Sequence, residues 1–78
     1  LNDIPDNYLD FIFLDAHLTS EQIINDLEVW YPKVKKGGIY AGHDWSCNMV
    51  QDAVFNFRKT NNITSLLSTF DDTFVWIK

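Results

Sequence analysis

The sequence is poor in cysteine, proline, glycine and cations, and each shortage excludes something. One cysteine, Cys47, cannot form a disulfide within the chain and suits a reducing compartment, so a cytoplasmic protein is expected. Two prolines and three glycines in 78 residues are too few for a flexible linker or a low-complexity segment. Six Lys and Arg stand against eleven Asp and Glu, for a net charge of −5, so the basic face that a nucleic-acid binder needs is not expected. No apolar run approaches the roughly 20 residues of a membrane span, so no membrane partner is expected either. The first residue is Leu1 rather than Met, which raises the expectation of a piece of a longer protein. What is present is core material. Apolar residues make up 46% of the chain and aromatic residues 15%, which argues against disorder. A domain of this size buries about 60–65% of its unfolded surface.

The apolar residues fall into alternating patterns. Residues 1–8 hold the turn formers Asp3, Pro5, Asp6 and Asn7 and read as a loop. Tyr8 to Leu14 is apolar apart from Asp10, the pattern of a strand buried on both faces of a parallel sheet. Thr19-Ser20-Glu21-Gln22 is a capping-box sequence. It opens a helix whose apolar face carries Ile23, Ile24, Leu27, Trp30 and Tyr31. Pro32, the lysines 33, 35 and 36, and Gly37-Gly38 are expected to end that helix. A second strand, Gly38 to Gly42, should follow, then a loop with a candidate cap at Ser46 and a second amphipathic helix ending near Thr60. Ile63 to Phe70 and Thr73 to Ile77 read as two strands joined in a hairpin at Asp71-Asp72.

Strand, helix, strand, helix, strand, strand is the order of an α/β fold with right-handed crossovers. Ligands in open α/β sheets bind beyond the carboxyl ends of the strands. The first strand ends in Asp15-Ala16-His17 and the second in His43-Asp44-Trp45, so these residues are the candidate site.

The same residues carry a family resemblance. Phe11 to His17, Asp26-Leu27, Trp30 to Val34, Lys36 to Ile39 and Gly42 to Trp45, in that order and spacing, resemble the C-terminal half of a class I S-adenosylmethionine-dependent methyltransferase. The similarity is nearest to the small-molecule O-methyltransferase-like group. It implies one partial domain, residues 1–78: the C-terminal half of a Rossmann-like sheet, mostly parallel, with a terminal antiparallel hairpin. The family's glycine-rich cofactor loop and the acid ending its second strand have no counterpart here; Gly37-Gly38 precede a strand rather than a helix and cannot serve as that loop.

The resemblance implies methyl transfer from S-adenosylmethionine to a small-molecule or sugar hydroxyl. Asp15, Ala16 and His17 would lie against the cofactor. In metal-dependent relatives, acids at the positions of Asp15 and Asp44 bind Mg²⁺, which orients the acceptor hydroxyl and lowers its pKa. His43 stands where relatives carry another acid. The residues also admit plainer readings. Asp15 and Asp44 can cap backbone amides. His17 can be a general base or a loop-shaping hydrogen-bond partner. His43 and Trp45 can line the substrate side, or Trp45 can pack. Trp30, Tyr31 and Trp76 read as core, and Cys47 has no base at a fixed spacing. A hydrolase-type metal centre lacks its third ligand motif. The alternative to an enzyme is a non-catalytic remnant or interaction module that keeps the sheet. The first strand's unpaired edge is expected to drive self-association of the isolated chain.

Overall fold

The computed structural model describes residues 4–15 and 19–78. Strand β1 (Leu9–Leu14) leads to helix α1 (Ser20–Trp30), a short 3₁₀ turn (Tyr31–Lys33), strand β2 (Val34–Gly42), helix α2 (Asn48–Thr60) and the strands β3 (Ser68–Phe70) and β4 (Thr73–Ile77). The sheet order is β1-β2-β4-β3. β1 and β2 run parallel, whereas β4 is antiparallel to both β2 and β3.

The α/β class holds, but a mostly parallel sheet does not: among the described strands one pairing of three is parallel. The terminal hairpin accounts for the difference. Asp71 and Asp72 turn the chain tightly at φ 45° and 64°, and β4 enters beside β2 in the reverse direction. Left-handed backbone at two consecutive residues is what a two-residue hairpin needs.

The end of the first helix also differs from expectation. α1 stops at Trp30, Pro32 sits in the 3₁₀ turn, and β2 begins at Val34 instead of Gly38. Lys35, Lys36, Gly37 and Gly38 are therefore strand residues rather than a helix stop. They form the irregular part of β2: the step from Leu9 to Phe11 in β1 is matched by the longer step from Val34 to Ile39 in β2. Gly37 takes φ 88°, and a Cβ on Gly38 would come within 2.9 Å of the Asp10 and Lys35 carbonyls, so both glycines are required by this bulge. The third strand is shorter than its apolar run, with Ile63 and Leu67 packing on the core from a loop.

Cross-strand rows decide which side of the sheet is core. Ile12, Tyr40 and Trp76 form one row, and Leu14, Gly42 and Phe74 the next. Both helices cover these rows. Ile23 and Leu27 of α1 and Val50, Val54 and Phe57 of α2 join Tyr40, Phe74 and Trp76 in a single buried cluster. Tyr40, Trp76 and Phe74 are only 0%, 1% and 3% exposed. Gly42 is glycine because a Cβ there would run into the Phe74 ring. The Tyr40 hydroxyl donates to the Leu27 carbonyl at 2.7 Å, and burial drives the phenol pKa up, out of reach of ordinary pH. The Tyr31 ring meets Tyr40 and Phe57 edge-on at 5.2 and 5.1 Å.

Candidate functional site

Three chain segments meet at one end of the sheet. The β1 end brings Asp15, the β2 end brings His43 and Asp44, and the hairpin brings Asp72. The His43 amide donates to the Leu14 carbonyl at 3.0 Å, continuing the parallel pairing past both strands and bringing the two ends together. The hairpin is fastened to the β2 end through the Trp45 amide, which donates to the Asp72 carbonyl at 3.0 Å, and through the Ser46 amide, which donates to Asp72 Oδ1 at 2.5 Å.

This second bond gives Ser46 its role. The expected helix cap is not made by its side chain: Cys47 is the N-cap of α2, without a side-chain cap bond. Ser46 instead holds Asp72, and its hydroxyl and then its amide hydrogen bonds are the main reasons that the Asp72 carboxyl titrates below its ordinary range, with the nearby His43 adding to the effect.

Asp44 sits in left-handed backbone at φ 61°, a conformation that Asp tolerates better than most residues. That turn aims its carboxylate back at His43, with Oδ1 3.0 Å from Nδ1. A ring nitrogen of His43 and the carboxylates of Asp44 and Asp72 all offer donor atoms within 4.8 Å of one another. Asp44 keeps company with His43 and Asp72, while Asp15, exposed, lines an adjoining cleft with His43. The cleft runs down between α1 and the sheet, past Ile23, Asp26 and Leu27. Its lining is mostly apolar, with Asp15, Asp26 and His43 as the polar groups, and at about 20 Å³ it has room for a single water.

Trp45 is half-buried and engaged in packing, 5.5 Å from Phe55 and 5.8 Å from Phe74 between ring centroids. Ala16 and His17 lie outside the described residues, and with them the candidate base. Sequence reasoning missed Asp72, which read only as a turn former, and Asp26, noted only within a motif. Asp72 had no local signal, because the hairpin reaches the β2 end through long-range pairing alone.

The cleft lies beyond the carboxyl ends of adjacent parallel strands, the place where open α/β sheets bind ligands. The family follows from the sequence: the profile of the methyltransferase domain family matches residues 1–45, more than half of the chain, and the chain belongs to that family. The resemblance to the C-terminal half of a class I methyltransferase agrees with this match. Among solved structures, that of the O-methyltransferase NovP is similar, with a TM-score of 0.81 and 28% identity over 92% of this chain. The chain spans only 30% of the NovP chain. No curated protein matches the sequence.

Proposed function

We propose that the chain is the acceptor-side portion of an S-adenosylmethionine-dependent O-methyltransferase that methylates a hydroxyl on a small molecule. One observation carries the reading: a family match is joined to a structural match with an O-methyltransferase, and Asp15 and His43, at the ends of adjacent parallel strands, line one cleft. In this reading Asp15, Ala16 and His17 face the cofactor, His17 is the general base, and His43 and the rim of the cleft receive the acceptor. The net charge of −5 supports a small-molecule acceptor over a nucleic acid. Among the described residues no helix is long and apolar enough to cross a membrane, and the single cysteine suits the cytoplasm.

A metal-assisted version also has support. His43, Asp44 and Asp72 converge well enough to hold a divalent cation, with Asp15 on the neighbouring strand end as a further acid. An imidazole among the donors suits Mn²⁺ or Zn²⁺ better than Mg²⁺, which prefers oxygen ligands throughout. Such an ion would lower the pKa of an acceptor hydroxyl. The chain's own part is to hold the donors: Ser46 fixes Asp72, and the backbone turn at Asp44 fixes its carboxylate beside His43.

Transfer of a labelled methyl group from S-adenosylmethionine tests the reading. The full-length protein carrying these residues should label hydroxylated small molecules, and His17→Ala should lower the rate at least about 100-fold, the lower end of the range for a general base. A full-length protein that binds no S-adenosylmethionine would establish the remnant reading instead. Mn²⁺ should raise the melting temperature by mass action, and Asp44→Asn should remove the rise.

A further inference from the structure

The end of α2 far from the candidate site holds a second cluster of polar groups. α2 starts beside the β2 end and carries Arg58 in its last turn, about 15 Å further along the helix. The Arg58 guanidinium lies over the Trp76 ring, 5.0 Å from its centroid, and Nη2 donates to the Ser65 carbonyl. Three side-chain atoms here are buried without a hydrogen-bond partner among the described residues: Arg58 Nη1, Ser65 Oγ and Trp76 Nε1. The Tyr31 hydroxyl lies close enough to the indole N–H to feel it, yet makes no hydrogen bond with it. Buried polar groups are nearly always bonded, so three orphans around one guanidinium call for an explanation.

The charge at this end calls for one too. Arg58 makes no ion pair among the described residues, and neither does Lys78, whose ammonium stands 4.5 Å from the Tyr31 ring centroid. Burial holds the guanidinium below its usual range, as a cation without a counter-charge should be held. Beside the cluster, β4 runs on past β3. Ser68 opposite Val75 is the last pair, and Trp76 and Ile77 have no partner in β3. A cleft of about 330 Å³ opens there, lined by Ser65, Leu66, Ser68, Val75, Trp76 and Ile77. That is the size of a small-molecule site, and no acid is among its lining residues.

We propose that this cleft binds the carboxylate of a small organic acid, with Arg58 Nη1, the Ser65 hydroxyl and the Trp76 indole N–H donating to its oxygens. An ionised carboxylate only accepts, so it answers a set made of donors, and its charge answers the guanidinium. A metal ion would be repelled by the same groups. A neutral acceptor would satisfy the N–H groups and leave the charge unanswered. Phosphate would bring up to two charges to one guanidinium and set no apolar atoms against Leu66 and Ile77, which are 82% and 49% exposed. An acid with a short hydrocarbon chain meets the donors and the apolar walls together.

The experiment titrates the full-length protein carrying these residues with sodium butyrate, sodium acetate and inorganic phosphate, and follows the indole N–H resonance of Trp76, assigned by its loss in Trp76→Phe. Butyrate should shift that resonance saturably. Acetate should bind at least about fivefold more weakly, since each methylene put against apolar walls is worth about fourfold. Phosphate should bind at least about tenfold more weakly than butyrate, because apolar contact and charge balance both count against it. Arg58→Gln should weaken butyrate at least about tenfold, the loss expected when a charged donor is removed. Lys59→Gln, which takes an exposed cation from the same turn of α2, should change it by less than about twofold at physiological salt. Four results would overturn the proposal: no saturable shift in the wild-type protein, an Arg58→Gln variant that binds equally well, acetate as tight as butyrate, or phosphate as tight as butyrate. The first, third and fourth use the wild-type protein, so the test survives an Arg58 variant that fails to fold. S-adenosylmethionine enters none of these readouts, so the outcome stands apart from the proposed methyl transfer.

Discussion

The two faces of one sheet are made from the same strands and the same kinds of residue, yet they live in different surroundings. Phe74 and Phe13 show the contrast. Each lies on a strand next to β2, and each points apolar surface away from the sheet, but Phe74 meets Trp45, Trp76 and the helices whereas Phe13 meets water and, at 6.3 Å, the His43 ring. What differs is which layer lies over each face. Hydrophobic residues are thus no guide by themselves to where the energy of this fold resides; the covering layer decides. The largest effect should therefore come from truncating a covered ring. Phe74→Ala should cost about 3–5 kcal/mol, enough to unfold most of a domain this small, while Phe13→Ala should change stability by less than about 1 kcal/mol. Urea unfolding of the two variants measures the contrast. Equal losses would mean that the open face is already covered in solution.

The same contrast explains how much could be read from the sequence. Both helices, the capping residue Thr19 and the strand core of β1 were legible because their signals are local: Gln22 donates its amide to Thr19 Oγ1 at 3.2 Å, as the capping sequence implies. The start of β2 was not. Val34 to Gly38 reads as a lysine-rich helix end with a glycine stop, and only pairing with Leu9 and with the chain after β4 makes it a strand: the Lys78 amide donates to the Gly38 carbonyl, and the Lys78 ammonium to the Tyr31 and Val34 carbonyls, each at 2.8 Å. Propensity was overridden by long-range hydrogen bonds. The site divides in the same way. Asp15, His43 and Asp44 could be singled out as candidates because they end apolar runs, whereas Asp72 comes beside His43 and Asp44 only because β4 pairs with β2. Which acids come together depends on topology, and the hairpin supplies one neighbour of Asp44.

A smaller effect sharpens the comparison inside the covered face. The Tyr40 hydroxyl is buried there and bonded to the Leu27 carbonyl, which also accepts the Tyr31 amide at the end of α1. Tyr40→Phe therefore removes one hydrogen bond without orphaning its acceptor, and the cost should be about 0.5–1.5 kcal/mol. The phenol stays protonated at every accessible pH, because burial first and the neighbouring Asp26 charge second oppose its ionisation. The difference between wild type and Tyr40→Phe should accordingly be the same from neutral pH to pH 9. A difference that grew with alkali would show that the phenol reaches solvent and that the α1 layer opens.

The smallest effect lies at the rim, where neither face is involved. Hydrogen bonds from Ser46 stabilise the charged form of Asp72 and hold its pKa below the ordinary 3.8. A folded-state value below the unfolded one means that the contribution is fully present above about pH 3.8 and is lost as pH falls through the lower folded-state value. Asp72→Asn removes the charge while keeping an oxygen for the Ser46 amide and a residue that tolerates the φ of 64°. At pH 7 the variant should melt slightly below wild type. The gap should close as both are titrated below pH 3.8, where wild-type Asp72 itself takes up a proton. Because the carboxylate is at the surface, added salt should shrink the part of the gap that comes from His43 and leave the part that comes from the Ser46 hydrogen bonds. A gap that persisted unchanged into strong acid would place the effect in the geometry of the hairpin turn instead of the charge, and the fastening of the hairpin to the β2 end would then have to rest on the Trp45 amide bond alone.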